Sequence, residues 1–170
     1  MHARSILACL SLALAPLTAT ATDVPDTIAA PGETLVAVIQ AVGAQIYECK
    51  SDPAAGTLAW QFREPIATLL IADKTVGRHY AGPNWELVDG SSVTGKVSAR
   101  APAATAADIP LLKLDASGHR GTGRLSAVST IQRINTKGGH ATGTCREAGT
   151  FLSVPYTADY AFFSKPDARR

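Results

Sequence analysis

Hydrophobic and polar positions alternate along most of this chain in short runs, and the runs are broken by glycine and proline. Trp60 and Phe62 oppose Gln61 and Arg63, the period of a half-buried strand. Thr34 to Gln40 is β-branched-rich and apolar on both faces, Gly43 marks a turn, and Gln45 to Lys50 forms a second short strand. Ser51 to Gly56 has loop chemistry; after Pro65, Thr68 to Ile71 forms another short strand. Gly77 to Pro83 reads as a loop and Trp85 to Val88 as extended. Asp89-Gly90 is then a strong turn signal, followed by Val93, Gly95, Val97 and Ala99 alternating with Thr94, Lys96 and Ser98. This predicts a hairpin over Trp85 to Ala99.

Arg100 to Asp108, rich in Ala and Pro, reads as an exposed excursion, and Leu111 to Leu114 as a return to the core. Leu125, Val128, Ile131 and Ile134 recur every three residues, a spacing open to a helix, but their residue types favour a strand, which is the reading taken. Lys137-Gly138-Gly139 is a turn. In the last stretch Tyr156, Ala158, Tyr160 and Phe162 face one way, against Thr157, Asp159, Ala161 and Phe163. That aromatic stripe is what a sheet core requires, rather than a sugar platform. No capped helix is visible. The expected fold is all-β: a single antiparallel β-sandwich or barrel-like domain.

The N-terminus changes the picture of compartment. Arg4, the apolar run Ile6 to Leu17 and the small-x-small site Ala19-Thr20-Ala21 have the anatomy of an export signal. The run is too short to span a bilayer, and Pro16 interrupts it. Cys9 after Leu7-Ala8 has the look of a lipoprotein acceptor, but few apolar residues precede it and a better cleavage site follows. The expected organisation is a signal peptide over 1–21, an arm over 22–33, a β domain over 34–165 and a tail over 166–170. The destination is the periplasm or the cell exterior. Past the leader two cysteines remain, Cys49 and Cys145, which an oxidising compartment favours as a structural disulfide over two buried thiols. Their separation is wrong for a catalytic C-x-x-C pair.

Sixteen basic residues stand against fourteen acidic ones, and Arg4 leaves with the leader. So balanced a charge gives no basis for binding nucleic acid or anionic lipid.

Several phrases occur in order: QIYEC (Gln45 to Cys49), GRHYAGPNWELVDGSSVTG (Gly77 to Gly95), IQRINTKGG (Ile131 to Gly139) and VPYTADYAFF (Val154 to Phe163). Over about Pro31 to Phe163 the chain resembles the exported domain-of-unknown-function family 3455 of bacteria and fungi. It departs at Leu111-Leu112, where the resemblance leads one to expect a tryptophan after the proline. The family has no established reaction, so no catalytic residue carries over. A malate-dehydrogenase-like label attached to some fungal relatives finds no support here, because the chain has no G-x-G-x-x-G after a strand and no βαβ alternation.

The densest polar-aromatic cluster supplies the candidate site. Arg78, His79, Tyr80, Asn84 and Trp85, with Asp89 close behind, bring a cation, an imidazole, a phenol and an indole around a Gly-Pro turn. Such a mixture can line a cleft, although each residue also has a plain structural use. A hydrolase would recruit His79 as base, Asp89 as its orienter and Ser91 or Ser92 as nucleophile, but no nucleophile elbow is present. A metal site would need His79, His119 and His140 with Asp89 or Asp115; their spacing matches no metal motif, so none is expected. Arg133 and Asp159, on segments otherwise short of charge, are candidates for a partly buried pair. The reading is a non-enzymatic binding or surface-interaction module for a small molecule or glycan, without cofactor; the alternative is a secreted hydrolase centred on His79, Asp89 and Ser91.

Overall fold

A computed structural model describes residues 24–54 and 56–166, so the expected signal peptide and Cys9 lie outside the described residues. Eight strands follow one another: β1 (Thr34–Asp52), β2 (Thr57–Ile71), β3 (Lys74–Tyr80), β4 (Asn84–Leu87), β5 (Ser92–Ala101), β6 (Leu111–Arg120), β7 (Thr130–Gly138) and β8 (Phe151–Ser164). Each is antiparallel to the next, and β8 returns to pair with β1, closing the sheet into a barrel-like ring. The all-β expectation holds. Among the described residues the only helical element is a 3₁₀ turn over Asp26–Ile28.

The interior follows the period of two. On β1, Ile39, Ala41, Gln45, Tyr47 and Cys49 point inward, and on β8 the expected stripe Tyr156, Ala158, Tyr160 and Phe162 does the same. One end of the ring is packed solid by Ile39, Leu69, Leu125, Val128, Ile131 and Phe162. The hairpin across Asp89-Gly90 forms as expected, with Trp85 opposite Val93 and Gly90 at φ +87°.

Four expectations are corrected. Gly43 is no turn: β1 runs straight through it, paired to Ala67 on one side and Tyr156 on the other. Glycine is used there because a Cβ would run into the Ile66 carbonyl of the adjoining strand. Pro65 does not end β2; it sits opposite Gln45 next to a bulge, on a stretch that β3 does not reach, where a missing N–H costs no ladder bond. Gly77–Tyr80 belongs to a strand, with Gly77 pressed against Glu86 of β4. Finally, β7 begins only at Thr130; Leu125 and Val128 are buried from a turn that plugs the packed end, so their apolar spacing reflects burial and not a strand.

The segment before β1 is tied down. Ile28 is fully buried against β5 and β6, its carbonyl accepting the Gln132 amide, and Glu33 accepts the hydroxyls of Ser129 and Thr130.

At the other end β1, β2 and β8 project beyond the ring as a three-stranded lip. The chain between β7 and β8 folds back on this lip: Trp60 N–H donates to Gly143, Cys145 N–H to Leu58, and Cys49 N–H to Thr150. The expected disulfide Cys49–Cys145 fastens it, closing 96 positions of chain.

Candidate functional site

Above the packed end the ring encloses a cavity of about 500 Å³. Its deepest wall is an aromatic layer. His79 lies flat against Trp85, centroids 4.6 Å apart and planes 12° from parallel, and Tyr160 meets both rings at an angle, 4.9 Å and 5.1 Å away. Leu112, Leu114, Val97 and Ile109 form an aliphatic side. Gln45, Tyr47 and Arg133 also line the space, and Arg63, Arg100 and His140 stand towards its mouth.

His79 is 3 % exposed and its protonation is fixed by its partners. Nδ1 lies 2.8 Å from the Asn84 carbonyl, which only accepts, so Nδ1 carries the hydrogen. Nε2 is then the acceptor for the Tyr160 hydroxyl at 3.1 Å. Burial, helped by the positive charge of Arg133, lowers its pKa to about 3 against the one bond to Asn84 that favours the cation. The ring is neutral at physiological pH and has no free lone pair.

A pH effect on stability follows. The unfolded chain takes up a proton at this histidine near its ordinary pKa, whereas the folded chain resists until about 3. Stability is therefore lost as pH falls from about 6 towards 4, with a slope of up to about 1.4 kcal/mol per pH unit from this residue. Urea titrations of the native protein and His79→Gln across that range should give a steeper decline for the native chain. Parallel declines would mean that the buried ring is not the source.

The other sequence candidates separate. Arg78 and Tyr80 follow the strand alternation to the outer face, where Arg78 bonds both oxygens of Glu86 at 3.0 Å and stacks over the Tyr80 ring. Hydrogen bonds from Arg78, then from Tyr80, hold the Glu86 carboxyl below the usual range. Asn84 braces the turn, bonding the Ala81 carbonyl and accepting from Thr94. Asp89 belongs to the hairpin turn: the Arg124 N–H and the Ser91 hydroxyl and N–H hold its carboxyl below the ordinary value. Only His79 and Trp85 of the six line the cavity. The bonds that a relay needs, from His79 to Asp89 or to Ser91, are not made among the described residues. Ser91 is fully buried, its hydroxyl spent on Asp89 and on the Leu125 N–H.

Three histidines do not converge either. His119 bonds the Val128 carbonyl and His140 the Ala106 carbonyl, each 2.7 Å away, and Asp115 meets Ser98. Among the described residues no three His, Cys, Asp or Glu side chains come close enough together to hold a metal.

A family model described as a protein of unknown function, DUF3455, matches residues 30–74 and 70–164. The chain belongs to this family. Neither a curated protein nor a solved structure matches it. In this DUF3455 member Leu111-Leu112, where a tryptophan was expected, are divided between two surroundings: Leu112 lines the cavity, while Leu111 faces away beside Val24 and Pro25.

Two polar residues on inward phases, Gln45 and Arg133, reach the cavity from outside the expected cluster. Arg133 does not pair with Asp159, whose carboxylate accepts the Asn135 amide instead. Arg133 points inward across from Tyr160 and gives two N–H bonds, 3.1 and 2.8 Å, to the Pro110 carbonyl. The signal for Gln45 was its place two residues before Tyr47 and four before Cys49, on the buried face of β1.

Proposed function

We propose that this protein is an exported, non-enzymatic binding module that takes a small, largely apolar molecule into its barrel-like interior. The cavity carries this reading. Its volume of about 500 Å³ falls within the range of small-molecule sites, roughly 300 to 1,000 Å³. Aromatic and aliphatic side chains supply most of the wall and a few polar groups interrupt it, the composition that buries a ligand while orienting it. Among the described residues the lining contains no serine, threonine, cysteine, lysine or carboxylate, and its deepest histidine is neutral with both nitrogens engaged. That supports holding a molecule over attacking one. The disulfide, and the absence among the described residues of any helix long and apolar enough to cross a membrane, agree with export.

The test uses a neutral apolar fluorophore, N-phenyl-1-naphthylamine, whose emission rises when water is excluded. It should bind one per chain. Val97→Trp, which fills the aliphatic side, should weaken it by about tenfold or more, since a filled pocket has no room for the ring system. Unchanged binding in that variant would place the probe elsewhere and end the proposal.

A further inference from the structure

We propose that the ligand of this cavity is an organic monocarboxylate with an apolar body, its carboxylate received by Arg133 and its hydrocarbon by the Leu112, Leu114 and Val97 side. The inference rests on the binding reading above and adds the sign of the ligand's charge to it. The lining holds Arg63, Arg100, Arg133 and His140 but neither Asp nor Glu. Arg63 is engaged, paired to Glu64 at 3.1 Å and lying over the Phe151 ring. Arg133 is different: it is half-buried, it bonds a single carbonyl, and no carboxylate among the described residues faces it. A guanidinium withdrawn from water is costly without a counter-charge, and its planar fork matches a carboxylate.

Two of the four unpartnered buried groups among the described residues line the cavity; the other two, the Thr136 and Tyr156 hydroxyls, do not. Gln45, 2 % exposed, and Trp85, 1 % exposed, both line the cavity; the Gln45 amide nitrogen and the Trp85 indole nitrogen have no hydrogen-bond partner. Both are donors. Of the tyrosines that line the cavity, Tyr160 has its hydroxyl spent on His79 and Tyr47 on the Gly139 carbonyl at 2.7 Å. The Gln45 and Trp85 donors are open to an acceptor from a ligand, and a carboxylate is an acceptor alone. At the mouth, a bulge between Val97 and Ala99 reverses the strand phase and turns Arg100 to the cavity side, where it draws in anions. One half-buried guanidinium against a hydrocarbon wall suits a single negative charge.

Octanoate and 1-octanol share a body and differ in charge, so calorimetric titration of each into the disulfide-intact protein decides. Octanoate should bind at least about tenfold tighter, and Arg133→Gln should remove about ten- to a hundredfold of its affinity while leaving octanol unchanged, the span of one hydrogen-bonded charge. Arg133→Lys should recover part of the loss, and Gln45→Leu should weaken octanoate with no loss of thermal stability. Equal binding of the two probes in the native protein overturns the monocarboxylate assignment and leaves the cavity reading standing. Binding of N-phenyl-1-naphthylamine without octanoate does the same, whereas failure of all three overturns both. Should Arg133→Gln not fold, the native octanoate-to-octanol ratio and its decline in Arg100→Gln, an exposed position, decide the assignment instead.

Discussion

Replacing Cys49 and Cys145 together by serine should lower the stability of this domain by about 4 to 5 kcal/mol, the loop-closure entropy of a link spanning 96 positions. Few single features here are worth as much, because domains of this size hold only about 5 to 15 kcal/mol in all. The loss should be uneven. The ring of β1 to β8 keeps its ladders, whereas the segment between β7 and β8 is held to the lip by a few backbone bonds to Leu58, Trp60 and Cys49. Urea denaturation of oxidised protein and of the double serine variant, with amide exchange alongside, should place early opening in residues 139–150. Thiol alkylation before reduction should label neither cysteine. A variant as stable as the native chain would mean that the lip and the returning segment hold together unaided.

Trp85→Ala is expected to cost about 3 to 5 kcal/mol, the range for deleting a large buried aromatic side chain. Trp85 is 1 % exposed and joins both parts of the interior: it stacks on His79 in the cavity wall and meets Phe162 of the packed end, centroids 6.0 Å apart. The strand opposite is shaped for it. A Cβ at Gly95 would lie 3.0 Å from the indole and 3.2 Å from Leu114. Truncation therefore leaves a hole whose walls are fixed by neighbouring ladders. Trp85→Phe should cost less, and thermal melts of the two variants compared with the native chain measure the difference. A loss near 1 kcal/mol for Trp85→Ala, typical of an average substitution, would mean that the layer collapses freely into the space.

What was legible in the sequence was local. The turn at Asp89-Gly90 and the alternation from Tyr156 to Phe162 each depend on neighbours within a few residues, and both stand where they were expected. Gly43 and Gly77 were misread because a glycine that ends a strand and one that admits a neighbouring strand look alike until the neighbour is known; here Ile66 and Glu86 decide. The candidate site was half legible for the same reason. His79 and Trp85 were found as a polar-aromatic cluster, but a period of two divides that cluster between the interior and the outer face, sending Arg78 and Tyr80 to Glu86. Gln45 and Arg133 reach the same cavity from β1 and β7, a proximity that only ring closure creates.

The pairing of β1 with β8 also sets an order of events as the protein matures. Thr34 lies opposite Ser164 and Glu48 opposite Phe151, so the first strand waits for the last before it has both neighbours. Until then every intermediate carries two open edges, and edges of that kind recruit strands from other chains. Contacts this distant along the chain are also slow to find. The vulnerable period of this protein is its synthesis, when a seam that is invisible in the finished ring is still a pair of unmatched borders.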